Sequence, residues 1–169
     1  MTMKKINAFE QGEAILKTLS KGAFLTTSAE GKQNTMTIGW GSLGFKWGLP
    51  TFTVMVRQSR YTKELIDANP EFTVSFPVKE GFAKALGLCG SKSGRDLDKF
   101  AAAGLTTVAG ETVSVPVING CGLHLECKIV EQYTMAEDKF DKELCEKWYA
   151  NKDWHTCYTG VITAAYVEE

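Results

Sequence analysis

No stretch of the 169-residue sequence approaches the ~18 to 20 consecutive apolar residues that a membrane-spanning helix needs. Excess positive charge is missing too. Nineteen Lys and Arg stand against 20 Asp and Glu, a formal charge of -1, without the basic bias of a dedicated nucleic-acid binder. No export signal is expected, because Asn7, Glu10, Gln11 and Glu13 interrupt any apolar run behind Lys4 and Lys5. The cysteines are 5, an odd count with no CxxC pair, and are expected to be reduced packing thiols of a cytoplasmic protein. Histidine is scarce: neither His124 nor His155 stands beside an evident nucleophile, which leaves a hydrolytic triad unsupported. What remains is 44% apolar, 23% charged and 11% aromatic, enough for one packed domain over residues 1–169.

Alternation and turn chemistry dominate the pattern. Ile15, Leu16 and Leu19 mark a short amphipathic helix over 13–19, stopped by Gly22. Residues 23–27 read as a strand, 29–32 as a turn and 35–44 as a second extended segment, together a hairpin. In 51–57, Phe52, Val54 and Val56 alternate with Thr51, Thr53 and Arg57. A helix is predicted to start near Ser59 and to end at Asn69-Pro70, ahead of a strand at 72–76. Two helical pieces follow at 82–88 and 97–103, with Gly104 as the stop. Residues 113–116 read as short and extended, 122–133 as a long strand, 142–149 as an amphipathic helix and 157–167 as the closing strand. Six or more strands, mostly in hairpin order with helices inserted, predict a mainly β fold: an antiparallel β-barrel with added helices, and no doubly wound parallel sheet. Period two along 122–133 places Cys127 inward with Leu125 and His124 outward with Glu126. Cys121, His124 and Cys127 are therefore not expected to share a metal.

Two nucleotide motifs fail on context. Gly39-Trp40-Gly41-Ser42-Leu43-Gly44 spells GxGxxG, but the chain then runs through Phe45 to Pro50 into another strand, where a dinucleotide site needs a helix. Lys92-Ser93 suggests a P-loop, yet the required glycines fall on Leu86 and Ser91. Three polar segments survive. Asn34, Thr35, Met36, Thr37, Ile38, Trp40 and Ser42 combine amide, hydroxyl, thioether and indole groups on a glycine-rich strand edge suited to a planar ring. Arg57, Ser59, Arg60, Tyr61 and Thr62 set guanidinium and hydroxyl groups around a helix start, which favours a phosphate. Ser91, Lys92, Ser93 and Arg95 precede the next helix and could close over the same ligand.

With these segments the chain resembles, over nearly its whole length, the flavin reductase-like family of FMN-binding split barrels, the flavoredoxin group. The resemblance rests on Asn34-Thr35-Met36-Thr37 with Gly39-Trp40, on Arg57-x-Ser59-x-Tyr61-Thr62-x-x-Leu65-Ile66, and on Ser93-Gly94-Arg95-Asp96-x-Asp98-Lys99-Phe100. It implies that the first segment lines the isoalloxazine ring, the second holds the FMN phosphate, and the third, including Lys99 and Phe100, lies over the cofactor. It further implies a homodimer with flavin near the subunit interface. Cys157-Tyr158-Thr159-Gly160 matches the family's end only loosely. The expected activity is hydride or electron transfer through FMN, with NAD(P)H or a redox protein as partner. Asn34, Thr37, Ser42 and nearby backbone N–H groups would stabilise the reduced ring. A flavoredoxin-type carrier and a non-redox ligand-binding barrel are the alternatives. Catalysis by a side chain is not expected, and Cys89, the one cysteine close to cations, reads as a packing residue.

Overall fold

Alternating runs separated by Glu30-Gly31 and Trp47-Gly48 turns fold into successive hairpins, and the computed structural model describes residues 2–169. Its strands are β1 (Met3–Lys5), β2 (Ala23–Ala29), β3 (Lys32–Ile38), β4 (Gly41–Lys46), β5 (Leu49–Arg57), β6 (Glu71–Pro77), β7 (Thr107–Val108), β8 (Val117–Ile118), β9 (Gly122–Thr134) and β10 (His155–Glu168). The helices are α1 (Gly12–Leu19), α2 (Tyr61–Ala68), α3 (Ala83–Ser91), α4 (Lys99–Ala103) and α5 (Lys142–Tyr149). The main sheet runs β3-β2-β6-β9-β10-β5-β4 with β1 on the far end of β10, and every pairing is antiparallel. The mainly β, antiparallel architecture with inserted helices is thus the one the sequence pattern predicts.

Leu25, Phe52, Val54, Phe72, Val74, Phe76, Leu125 and Tyr158 fill the interior, and Ile15 and Leu19 of α1 join them. A fully buried Phe or Leu contributes about 1.5–3 kcal/mol, so this cluster dominates the stabilisation. Phe24 points the other way from Leu25, into a second cluster with Ala85, Cys89, Ile118 and Cys121, against which Phe82, Leu86 and Phe100 pack. That second cluster fixes α3 and α4 on the outside of β2 and β3. At Gly160, where β10 shifts register, a Cβ would lie 2.7 Å from Cys127 Cβ and 2.9 Å from Phe72 Cε1, so only glycine permits the crossing.

Four expectations are corrected. Residues 35–44 form parts of two strands: β3 pairs with β2, the chain turns out at Gly39-Trp40, and β4 pairs with β5. Residues 113–116 are bends, and the short strand is Val117–Ile118. Leu97 lies ahead of α4, because the Asp98 carboxylate caps that helix by accepting from Phe100 N at 2.9 Å and Ala101 N at 3.2 Å. Finally, His124 and Glu126 do not face solvent. The 105–121 crossover and the end of β10 cover that face, and both side chains are fully buried. His124 lies 3.0 Å from Ser75 Oγ through Nδ1 and 3.0 Å from Glu168 Oε1 through Nε2. Glu126 accepts from the backbone N–H groups of Glu111 and Thr112, the Thr112 hydroxyl and the Tyr166 hydroxyl. Burial pushes the Glu126 carboxyl up, but these donors outweigh it and hold it below the usual carboxylate range.

Candidate functional site

The site forms where β3, the end of β5, the start of α2 and the α3–α4 connection meet. Asn34 and Met36 share one face of β3, two residues apart. β5 ends at Arg57, and a turn closed by Arg60 N–H to Arg57 O (3.1 Å) delivers the first residues of α2 beside them. Two clefts, of about 150 and 140 Å³, share Met36 and Arg60 and so form one groove. One is lined by Met36, Thr37, Ile38, Gly39, Trp40, Met55, Arg57, Arg60 and His155. The other is lined by Asn34, Ser59, Tyr61, Thr62, Ser91, Lys92, Ser93, Gly94, Arg95 and Lys99 around the shared pair.

The three sequence segments therefore converge, and Gly94 shows how tightly. A Cβ there would stand 2.1 Å from Asn34 Oδ1 and 2.8 Å from Tyr61 Cδ1, so glycine alone lets the third segment lie on the first two. Asn34 donates to Thr62 Oγ1 at 2.8 Å, tying β3 to α2. Lys99, buried, donates to Thr35 O at 3.0 Å and Cys89 O at 2.9 Å, stitching α4 to β3 and to the end of α3. Burial lowers its pKa from the ordinary lysine value. Arg95 pairs with Glu64, donates to Ser59 O at 3.1 Å and lies over the Tyr61 ring at 5.5 Å. The Ser93 hydroxyl accepts from Arg95 N–H at 3.2 Å, and the Ser91 hydroxyl donates to Gly87 O at 2.8 Å. Lys92 lies exposed on the rim.

Other expected residues sit elsewhere or are otherwise engaged. The Thr35 hydroxyl turns from the groove toward Thr26 Oγ1 (3.2 Å) and Leu25 O (3.3 Å). Thr37 lines the groove while donating to Leu86 O at 2.7 Å. Ser42 is exposed on β4, outside both clefts, and Phe100, half-buried against the second core cluster, lines an adjoining cleft with Asn34, Tyr61, Gly94 and Lys99. Arg57 donates to Asp153 O at 2.7 Å and Trp148 O at 3.0 Å, with its guanidinium 5.1 Å from the centre of the Tyr149 ring. Ser59 gives its N–H (3.1 Å) and hydroxyl (2.6 Å) to the Asp153 carboxylate.

Sequence reasoning left out the groove residues Met55 and His155. Arg60, which lines both clefts and donates to Gly90 O at 3.2 Å, was legible as the second guanidinium of its segment. Met55 and His155 carried no local signal. His155 reaches the groove because β5–β10 register sets it opposite Arg57. Its Nδ1 is 2.7 Å from the Tyr149 hydroxyl, and its ring is 5.5 Å from that of Trp40. Burial, helped by the Arg57 charge, lowers its pKa to about 4, so it is neutral at pH 7. Arg57, Arg60, Lys92, Arg95 and Lys99 outnumber Glu64 and Asp153 around the groove, which suits an anionic group at the α2 end. The Met36–Trp40 strand edge with Met55 and His155 suits a flat body at the other.

Fold and groove define the class: an antiparallel split barrel with an anion-receptive cleft between its β3 edge and α2. Residues 16–169 match the family model described as the flavin reductase like domain, and the chain belongs to that family. It is similar to the solved flavoredoxin of Methanosarcina acetivorans (33% identity, TM-score 0.68, 88% of this chain and 68% of that one). It is also similar to an FMN-binding protein of Thermus thermophilus solved with p-hydroxybenzaldehyde (25% identity, TM-score 0.69, 88% and 71%). A curated relative, an uncharacterized protein of Archaeoglobus fulgidus, is 33% identical over 64% of this chain and 60% of its own length. The chain thus spans about 60% of that relative.

Proposed function

We propose that the protein binds FMN in the joined clefts and works as an NAD(P)H-linked flavin oxidoreductase. The observation that carries this reading is the meeting of the three polar segments at Gly94, which sets the cations at the start of α2 next to the flat Met36–Trp40 edge. The similar FMN-binding protein of Thermus thermophilus supports the choice of flavin. The residues fit such a ligand. Arg60, Lys92 and Arg95, with the start of α2, would receive the phosphate. Met36, Thr37, Ile38, Trp40 and His155 would line the ring. Bound flavin would supply hydride acceptance and donation at N5. The chain's own work is then positional: Lys99 and Asn34 lock the three segments together, and the largely buried β3 edge would limit water on one side of a bound ring. His155, neutral at pH 7, adds a polar edge without placing a charge beside the ring.

Similarity to a flavoredoxin supports a second reading, a carrier reduced by a protein partner and never by a nicotinamide. A visible spectrum with the released flavin identified tests the first step, and release of FAD, or a colourless protein that binds no added flavin, would defeat it. Anaerobic bleaching by NADH or NADPH supports the reductase, whereas bleaching only by a reduced partner protein supports the carrier. We further propose a cytoplasmic homodimer. Phe45, Trp47 and Leu49 of the β4–β5 hairpin, with Phe9 and Leu16 nearby in the fold, expose more apolar surface than the monomer needs. Light scattering at the monomer mass of 18.6 kDa with flavin bound would refute the dimer.

A further inference from the structure

A carboxylate stands beside the α2 end of the groove, bonded to Ser59, which lines it. Asp153 accepts from both donors of Ser59, the N–H at 3.1 Å and the hydroxyl at 2.6 Å, just ahead of α2. The same stretch of chain is fastened at other points. Arg57 donates to the backbone carbonyls of Asp153 and Trp148, and Gln58 N–H donates to Trp154 O at 3.1 Å. Trp148 meets Trp40 edge to face at 4.8 Å. The 148–154 stretch thus runs beside the groove, from Trp40 to the residues just ahead of α2, held there by backbone and aromatic contacts that do not depend on the Asp153 side chain. That side chain contributes something separate: a negative charge on hydrogen-bond donors of the kind a phosphate oxygen would use.

We propose that Asp153 is a built-in competitor for the phosphate subsite, so that a phosphorylated ligand must displace its carboxylate from Ser59 to bind fully. The inference rests on the flavin reading above and adds a specificity element to it. Asp153 weakens phosphorylated ligands and leaves the ring subsite untouched. It also explains how Ser59 belongs to the anion site although a side chain of the same protein occupies its donors. Because Arg57 grips the Asp153 carbonyl, replacing the side chain leaves the fastening of the segment in place.

The test is a pair of titrations, FMN and riboflavin, against the parent protein, Asp153→Ala and Asp153→Asn, with folding checked by circular dichroism. Asp153→Ala is expected to bind FMN about tenfold tighter, the scale of one charge-assisted hydrogen bond no longer displaced, while its riboflavin affinity stays within about twofold. Asp153→Asn, which keeps an acceptor for Ser59 but drops the charge, is expected to fall between, and it decides the matter if the alanine variant fails to fold. Adding Ser59→Ala to Asp153→Ala should take the FMN gain away. Unchanged or weaker FMN binding in a folded variant would overturn the proposal and leave Asp153 as a clamp. Equal tightening for FMN and riboflavin would overturn it as well, since the effect would then be on the ring end. If neither flavin binds the parent or any variant, the flavin reading itself falls, and the competitor with it.

Discussion

The covered outer face of β9 and the groove beside β3 both gather charged side chains, acidic in the first and cationic in the second, yet one is closed and the other open. His124 and Glu126 of β9 and Glu168 at the end of β10 are buried, and each has hydrogen-bond partners within the fold: Ser75, Thr112, Tyr166 and the N–H of Gly120. In the groove, Arg57, Arg60, Lys92 and Arg95 keep part of their surface in solvent and outnumber the carboxylates around them. A satisfied polar cluster locks chain to chain, because any change leaves a buried donor or acceptor without a partner. A cation-rich cluster left half open holds attraction in reserve for a ligand. The sign of the charge differs between the two, but coverage decides which is closed.

Breaking the closed cluster should give the largest effect on stability. Glu126→Ala removes a fully buried carboxylate, stranding the buried Tyr166 hydroxyl and freeing the Glu111–Thr112 turn, and is expected to cost about 3 kcal/mol, seen as a lower midpoint in urea. Flavin affinity of the remaining folded protein should be unchanged, and a loss of binding there would mean that the two regions are coupled. In the open cluster, Arg60→Ala is expected to weaken FMN by about 1.5–3 kcal/mol, roughly ten- to a hundredfold, with little change in thermal midpoint. Arg57→Ala should act more through the 148–154 stretch, whose carbonyls it holds, than through the phosphate. If titration shows Arg57→Ala weakening FMN more than Arg60→Ala, those assignments are reversed.

Acid sharpens the contrast further. Burial holds His155 at about 4 against an ordinary 6.5, so the unfolded chain takes up its proton first as pH falls. His124 is shifted the same way by burial. The His155 contribution is fully present above about 6.5 and is lost progressively toward pH 4, and His124 acts in the same direction. Thermal midpoints measured across that window should fall, and a His155→Gln variant should show a shallower decline. A midpoint that stays flat from 6.5 to 4 in the parent would contradict the burial of both rings. The smallest effect is expected from Cys89→Ala. Cys89 is fully buried, its thiol pushed up by burial although Lys99 pulls it the other way. The variant should keep its flavin and its reduction rate. A hundredfold loss of electron transfer with normal FMN binding, about 2.7 kcal/mol of barrier, would instead point to thiol chemistry.

Much of the fold was legible because its signals are local. Alternation in 51–57 and 122–133 and the turns at 29–32 give strands wherever they fall, and amphipathic spacing placed 142–149 in a helix of those same bounds. The polar segments of the groove were also legible as blocks, since anion-binding residues around a helix start are contiguous in sequence. Which member of each block faces the groove was not. Thr35 turns its hydroxyl toward Thr26, Ser42 lies out on β4 and Phe100 leans on the second core cluster, because the break at Gly39-Trp40 and the packing of α3 and α4 decide those directions.

The sequence by itself determined a mainly antiparallel β chain with inserted helices, the three polar segments, and the glycine at 94 that lets them meet. Only the tertiary structure decided that His124 and Glu126 are buried, since period two reports which side a residue faces and not whether another part of the chain covers that side. It alone placed His155 opposite Arg57 and Asp153 on Ser59, contacts 98 and 94 residues apart along the chain in strand register and hydrogen bonding. Local spacing carries no record of such pairings. They arise when β10 returns to β5 and brings the 148–154 stretch down on the groove.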